Sequence, residues 1–256
     1  MTVAFPEQRT AIVTGAASQR GIGRATAKIL AAAGWNIGIV DLDEAASQAV
    51  ASELTAEYGV QALGVGANVA NEASAHAAID MLAAGLPQIV ALANIAGVSS
   101  PVPYLELESS EWDRVISINL TGVHYVSQRV AQILADNKVG RIVNMSSVSA
   151  QRGGGTFSKT PYSVAKAGII GLTRSLAREL GPFDVTVNAI APGPVDTDIM
   201  GGALTEDRKA ELTEEQLIKR VASVQDIANT IKFLFSEEAG LITGQTINVN
   251  GGLYMS

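Results

Sequence analysis

Thr10-Ala11-Ile12-Val13-Thr14-Gly15-Ala16-Ala17-Ser18-Gln19-Arg20-Gly21-Ile22-Gly23 is the stretch whose reading decides the fold. Thr10 to Thr14 is a short apolar run rich in β-branched residues and reads as a buried strand ending at Gly15. Gly15 to Gly23 reads as a loop, and Ile22 to Ala33 as an alanine-rich helix stopped by Gly34. Glycines between a strand and a helix let backbone N–H groups approach a pyrophosphate, and the helix N-terminus adds partial positive charge. An adenosine ribose asks for a carboxylate about 20 residues further on. Asp41 supplies it, at the carboxyl end of a second apolar strand, Ile37-Gly38-Ile39-Val40.

The alternation continues outward from there. Helices are expected at Glu44 to Tyr58, Glu72 to Ala84, Ser110 to Asp136, Pro161 to Leu180 and Val224 to Phe235. Strands are expected at Ala62 to Ala67, Ile89 to Ala93, Arg141 to Met145, Val185 to Ile190 and Thr246 to Val249. Strand and helix in strict alternation argue an α/β fold: a single Rossmann-type, doubly wound parallel sheet with helices on both faces. No repeat, linker or composition break divides the chain, so residues 1–256 are expected to form one domain. Thr197 to Arg220 breaks the rhythm, with a Gly201-Gly202 pair and then charged helix formers. An insertion of that length beside the carboxyl ends of strands is expected to be a substrate lid.

Composition removes several function classes. The chain holds 256 residues, 47% of them apolar, enough for one large α/β core. It has no cysteine, which excludes disulfides, thiolate metal sites and a cysteine nucleophile. The formal net charge of −7 argues against nucleic acid as a partner. His76 and His124 are the only histidines and read as ordinary helix residues, so no metal site is expected. No apolar run approaches the ~18 residues of a membrane span, and no signal peptide is legible in Met1 to Thr10. A cytoplasmic location and no membrane partner are the expectation.

Tyr162-Ser163-Val164-Ala165-Lys166 carries the chemistry. On a helix, Tyr162 and Lys166 leave the same face one turn apart. A nearby ammonium favours the phenolate, so the phenol's pKa is expected to fall toward neutrality. A shift of roughly 3 units needs about 4 kcal/mol, which one close charge in a partly dry site can supply. Ser147 follows the apolar run from Ile142 to Met145, so its hydroxyl is expected at a strand exit, within reach of a substrate oxygen. Alone, the Tyr and Lys would read as a helix surface pair.

With these pieces in order, the chain resembles the short-chain dehydrogenase/reductases over almost its whole length. The glycine loop, Asn94-Ile95-Ala96-Gly97, Asn119 in Ser117-Ile118-Asn119-Leu120, Ser147, Tyr162 with Lys166, and Pro192-Gly193 follow that family's order, as does the ending from Thr243 to Gly252. By this resemblance Tyr162 is the catalytic acid and base, and Ser147 orients and polarises the carbonyl. Lys166 lowers the Tyr162 pKa and binds the nicotinamide ribose. Asn119 holds a water that links Lys166 to a proton relay. Gly15, Ser18, Gln19, Arg20, Gly21, Ile22 and Gly23 would bind the cofactor phosphates. Asp41, Leu42, Asn68 and Val69 would take the adenosine. Asn94, Ala96, Gly97, Pro192, Gly193, Val195 and Thr197 would complete the cofactor site with Tyr162 and Lys166.

Four departures stand out. The glycine loop is two residues longer than the common pattern, Ile95 replaces a second Asn, Asn68-Val69 replaces Asp-Val, and Gly153-Gly154-Gly155 lengthens the loop before Tyr162. Asp41 would repel the 2′-phosphate of NADP by about 4 kcal/mol at ~4 Å and an effective dielectric of ~20. Arg20 lies where NADP-preferring relatives often carry a base, yet it could pair with Asp41 or touch a phosphate. NAD is the expected cofactor, with NADP as the alternative. Ser99, Val148, Ser149, Gln151, Pro194 and Met200 are the expected pocket lining, suited to a modest secondary alcohol or ketone. The rival enzyme is a 3-oxoacyl-carrier-protein reductase, docking an acidic carrier near Lys138 and Arg141, although Phe183 and Asp184 stand where a second base would help. A non-catalytic nucleotide-binding regulator is the rival of another class. The resemblance also implies a homotetramer, built on the catalytic helix with its small Gly168 and Gly171.

Overall fold

A computed structural model describes residues 4–255. Residues 1–3 and 256 of the expected domain, and the side chain of Met200 expected in the pocket, lie outside the described residues. The strands are β1 (Thr10–Thr14), β2 (Asn36–Asp41), β3 (Ala62–Gly66), β4 (Ile89–Asn94), β5 (Gly140–Met145), β6 (Val185–Pro192) and β7 (Thr246–Val249). They form one sheet in the order β3-β2-β1-β4-β5-β6-β7, every neighbouring pair parallel. This is the parallel α/β architecture that the alternation predicts. The order reverses between β1 and β4, and ligands of open α/β sheets settle in the crevice at such a switch point.

Helices cover both faces. On one side α1 (Ile22–Ala31), α2 (Glu44–Tyr58) and α9 (Val224–Leu234) bury Leu30, Leu54 and Ile231 with Val13 and Ile37 of the sheet. On the other, α3 (Glu72–Gly85), α5 (Gly122–Asn137) and α7 (Thr160–Leu180) bury Ile79, Val130 and Ala177 with Ile12 and Leu92. Neighbours along one strand go to opposite faces, as the period of two requires.

The single helix expected from Ser110 to Asp136 is not continuous in type. It runs as α4 (Ser109–Ile116), a π-helical turn (Ser117–Thr121) and then α5. The extra residue in that turn brings Asn119 to the inner face, where its Nδ2 donates to the Val115 carbonyl at 3.0 Å. Wide turns of this kind cluster at functional sites. A short helix that the apolar pattern misses, α6 (Val148–Arg152), follows β5. Ser147 caps its start and Gly153, at φ +85°, ends it. In the expected lid, a 3₁₀ turn (Asp198–Met200) precedes α8 (Glu206–Thr213).

Candidate active site

Two clefts open along the carboxyl edge of the sheet. One, of about 770 Å³, runs from Asp41, Leu42, Asn68 and Val69 past Gly15, Ser18 and Gly21 to Thr197. The other, of about 490 Å³, holds Ser147, Tyr162 and Lys166 beside Pro192, Gly193, Pro194 and Val195. Ile22, Ile95, Gly97, Ser99, Phe157, Thr197 and Ile199 line both, so the two join.

The join is built by close backbone approach. Thr14 Oγ1 accepts hydrogen bonds from Ile95 N and Ala96 N at 3.0 and 3.1 Å, locking the exit of β1 to that of β4. Gly15 has φ +72°, and a Cβ there would lie 2.7 Å from the Ala96 backbone. Only glycine fits, and it leaves a cradle of backbone for a pyrophosphate. At the far end Asp41 Oδ2 accepts from Ala17 N at 2.9 Å and Oδ1 from Leu42 N at 2.8 Å. The carboxylate is thereby fixed where a ribose hydroxyl would meet it. A dinucleotide fits this donor set: a backbone cradle in the middle, a carboxylate at one end and hydroxyls at the other.

The catalytic end is tied by two hydrogen bonds. Lys166 Nζ donates to the Met145 carbonyl at 2.8 Å, and Ser146 Oγ donates to the Lys166 carbonyl at 2.8 Å. They hold the middle of α7 on the exit of β5 and so set Tyr162 beside Ser147. Ser147 Oγ accepts from Ser149 N at 3.1 Å, which leaves its proton to donate. Lys166 Nζ lies 5.6 Å from the Tyr162 ring centroid.

The expected fall of the Tyr162 pKa is not what this site shows. Burial pushes the phenol up to about 12, with a hydrogen bond from Ser147 pulling the other way. Burial also pushes the Lys166 ammonium down to about 8. Lys166 is 3% exposed, and its Nζ hydrogen-bonds a neutral carbonyl, so desolvation dominates at both groups.

Three of the sequence-derived residues turn elsewhere. Asn94 is 2% exposed, and its Nδ2 donates to Ser127 Oγ at 2.9 Å and Asn144 Oδ1 at 2.8 Å, inside the core. Asn119 closes on backbone: Oδ1 accepts from Val98 N at 3.2 Å, and Nδ2 donates to the Val98 carbonyl at 2.9 Å. Arg20 lines neither cleft and does not pair with Asp41; it pairs with Asp196 and, at 3.4 Å, with Asp198 in the wall of the larger cleft. Gln19, Gly23 and Asn119 line neither cleft. Ser99, Val148, Ser149 and Pro194 line the catalytic cleft as expected. Gln151 does not, and donates to Asn248 Oδ1 at 2.8 Å. Phe157 and Ile199, which the sequence reading missed, stand at the join of the clefts, one from a loop and the other from the 3₁₀ turn after β6, neither with a periodic signal.

The segment expected as a lid walls the cleft of Tyr162 with Glu211, Leu212, Glu214 and Glu215. Arg152 of α6, also in the wall, pairs with Glu215. Arg141, expected near a carrier-docking surface, is 3% exposed and stacks over Phe5 at 4.8 Å. Its burial removes it from that role. Among the described residues, no group of three or more His, Asp or Glu side chains could hold a metal ion. No helix among them is long and apolar enough to cross a membrane.

A family model described as enoyl-(acyl carrier protein) reductase matches residues 15–254. An uncharacterised short-chain type dehydrogenase/reductase of Sinorhizobium fredii is 39% identical over 246 residues, 96% of this chain and 97% of that protein. A 3-oxoacyl-[acyl-carrier-protein] reductase of Aquifex aeolicus is 40% identical over 246 residues, 96% of this chain and 97% of its own length. Its counterpart in Escherichia coli is 37% identical over 249 residues, 97% of this chain and 98% of its own.

Proposed function

Because the chain belongs to the short-chain dehydrogenase/reductase family and is an NAD(P)-dependent oxidoreductase of alcohol and carbonyl groups, we propose that it interconverts a secondary alcohol and a ketone with NAD(H). The observation that carries the choice of cofactor is the Asp41 carboxylate, held by Ala17 N and Leu42 N at the adenosine end of the cleft. A negative charge anchored there accepts ribose hydroxyls and repels a 2′-phosphate.

The nicotinamide supplies or accepts the hydride when bound. In the reducing direction negative charge grows on the carbonyl oxygen as its carbon is attacked. Ser147, whose oxygen accepts from Ser149 N, turns its proton from Tyr162 to that oxygen. Tyr162, kept protonated through neutral pH by burial, gives the oxygen its proton. Lys166 stands between Met145 and Gly97, in place to bind a ribose hydroxyl. The turn that carries Asn119 holds Val98 and so fixes the loop beyond Gly97. Tyr162→Phe removes the proton donor and is expected to lower turnover of any ketone by roughly 10²–10⁴-fold, with NADH binding kept. Equal turnover by that variant sinks the assignment of Tyr162, whereas a wild type that turns over no ketone with either cofactor leaves a nucleotide-binding regulator in the enzyme's place.

For the substrate we propose a small neutral alcohol or ketone, handled in the cytoplasm. The cleft wall places Glu211, Glu214 and Glu215 against one arginine, Arg152, which Glu215 already pairs. Such a mouth does not attract an anion. The second reading, reduction of a 3-oxoacyl thioester on an acidic carrier, has the names of the Aquifex and Escherichia relatives in its favour. Comparing kcat/KM for small ketones and a 3-oxoacyl carrier thioester, with NADH and NADPH, separates the two. A carrier preference that weakens as salt rises would replace the first reading with the second.

A further inference from the structure

The lengthened glycine loop does more than border a pyrophosphate. It reaches across the cleft to the segment after β6. Ser18 Oγ donates to Asp198 Oδ2 at 2.7 Å. Arg20 donates through one terminal nitrogen to Asp196 and through the other to Asp198 at 3.4 Å. Asp196 is itself anchored from the lid, accepting from Leu204 N at 3.2 Å and facing Lys209 Nζ at 3.7 Å. Arg20 therefore meets two carboxylates, one of them held in place from behind.

The other bases nearest the loop are paired as well. Arg24 of α1 pairs with Glu53 of α2, and Lys28 lies 2.5 Å from the same carboxylate. The adenosine-side cleft is lined by the carboxylates of Asp41 and Asp198, with no lysine or arginine among the described residues of its lining.

We propose that Asp196 and Asp198 are specificity-determining residues for the cofactor: they hold Arg20 away from the ribose, so that no cation is left to receive a 2′-phosphate. The inference rests on the NAD(H) reading above and adds a second layer to it. Asp41 repels the phosphate directly, and the Asp196–Asp198 pair withholds the one loop cation that could offset the repulsion. A doubly charged phosphate beside Asp41 needs a guanidinium, because bidentate N–H donors match its oxygens. Removing Asp41 alone leaves that guanidinium engaged elsewhere.

The test compares Kd and kcat/KM for NADPH and NADH in the wild type, Asp41→Asn, Asp41→Asn with Asp196→Asn and Asp198→Asn, and the last combination with Arg20→Ala. Asparagine keeps an acceptor for Ala17 N, Leu204 N and Ser18, and NADH binding by each variant reports that the cleft is intact. Adding the two asparagines to Asp41→Asn is expected to raise the NADPH:NADH ratio by at least about tenfold more, and Arg20→Ala is expected to cancel that increment. No added increment, or one that survives Arg20→Ala, overturns the inference alone. A wild type that already prefers NADPH overturns the NAD(H) reading and the inference with it. Those two failures are read from different proteins in the same series.

Discussion

Lys166 shows how a functional residue stands against stability. It is buried without an ion pair, and burial lowers its pKa from 10.5 to about 8. A lysine whose pKa is depressed on folding binds more protons unfolded than folded between those values, so its cost to stability shrinks as pH rises through the window. Below about 8 the cost is full; above 10.5 it is gone. Lys166→Met removes the buried charge and is expected to be more stable than the wild type at pH 7, with the difference shrinking by roughly 2 kcal/mol by pH 10. Urea titrations of both proteins at pH 7 and pH 10 check this; a constant difference sinks it. Asp41 carries two tasks on one carboxylate. It faces the ribose position and also holds Ala17 N of the extended loop. Asp41→Ala is therefore expected to weaken NADH binding as well as shift cofactor choice, whereas Asp41→Asn, which keeps an acceptor, shifts choice with a smaller loss. Titration of NADH fluorescence with the two variants separates those effects.

At the scale of elements, the turn between α4 and α5 joins the fold to the site. Asn119 is fully buried, and its amide serves three backbone groups: Val98 N–H, the Val98 carbonyl and the Val115 carbonyl. Gly97 lies so close that a Cβ there would be 2.6 Å from Asn119 Oδ1. Asn119→Ala strands those groups and is expected to cost about 2–4 kcal/mol, seen as a lower urea midpoint with an unchanged helical spectrum. This turn also marks where the sequence stops being legible. The strands, most of the helices and the meeting of Ser147, Tyr162 and Lys166 follow from apolar period, glycine stops and motif spacing. A π turn does not, because one extra residue leaves the apolar stripe of Val115, Val123 and Val126 on the buried side. Helix α6 is short enough for its five residues to look like loop, although Ser147 and Gly153 are ordinary start and stop signals once paired. Phe157 and Ile199 carry no such signal, since a loop and a 3₁₀ turn far apart in sequence reach the cleft join by tertiary packing. The Tyr162 shift runs opposite to the expected direction for a related reason: spacing along a helix gives a neighbour, while desolvation depends on everything packed around it.

Across the whole molecule, charge and exposed apolar surface argue how copies meet. The catalytic helix presents Val164 at 43% exposure, and a Cβ on Gly171 would meet nothing within 4 Å of its own chain. Gly168 is different, since its Cβ would lie 2.8 Å from Leu120, so its smallness already serves the packing of α7 against the π turn. A separate apolar patch lies near the end of the expected lid segment. Leu217 and Ile218 are 65% and 59% exposed, and both backbone N–H groups are fixed to the Gly251 carbonyl at 2.9 Å. Fixed apolar side chains beside an ordered carboxyl-terminal segment are costly to leave in water. Two unlike patches, each able to face its own copy, generate a tetramer of dihedral symmetry, whereas one patch alone stops at a dimer. A homotetramer is the expected assembly. Gly171→Arg should break one contact and Leu217→Lys with Ile218→Lys the other, each giving dimers by sedimentation velocity, and the combined variant should give monomers. The second pair should also raise KM, because only Gln216 separates those residues from Glu214 and Glu215 of the cleft wall. A wild type that sediments as a monomer, or variants that leave its size unchanged, would mean that both patches face water and that the segment from Thr197 to Arg220 holds its place through contacts within its own chain, those to Arg152 and Gly251 among them.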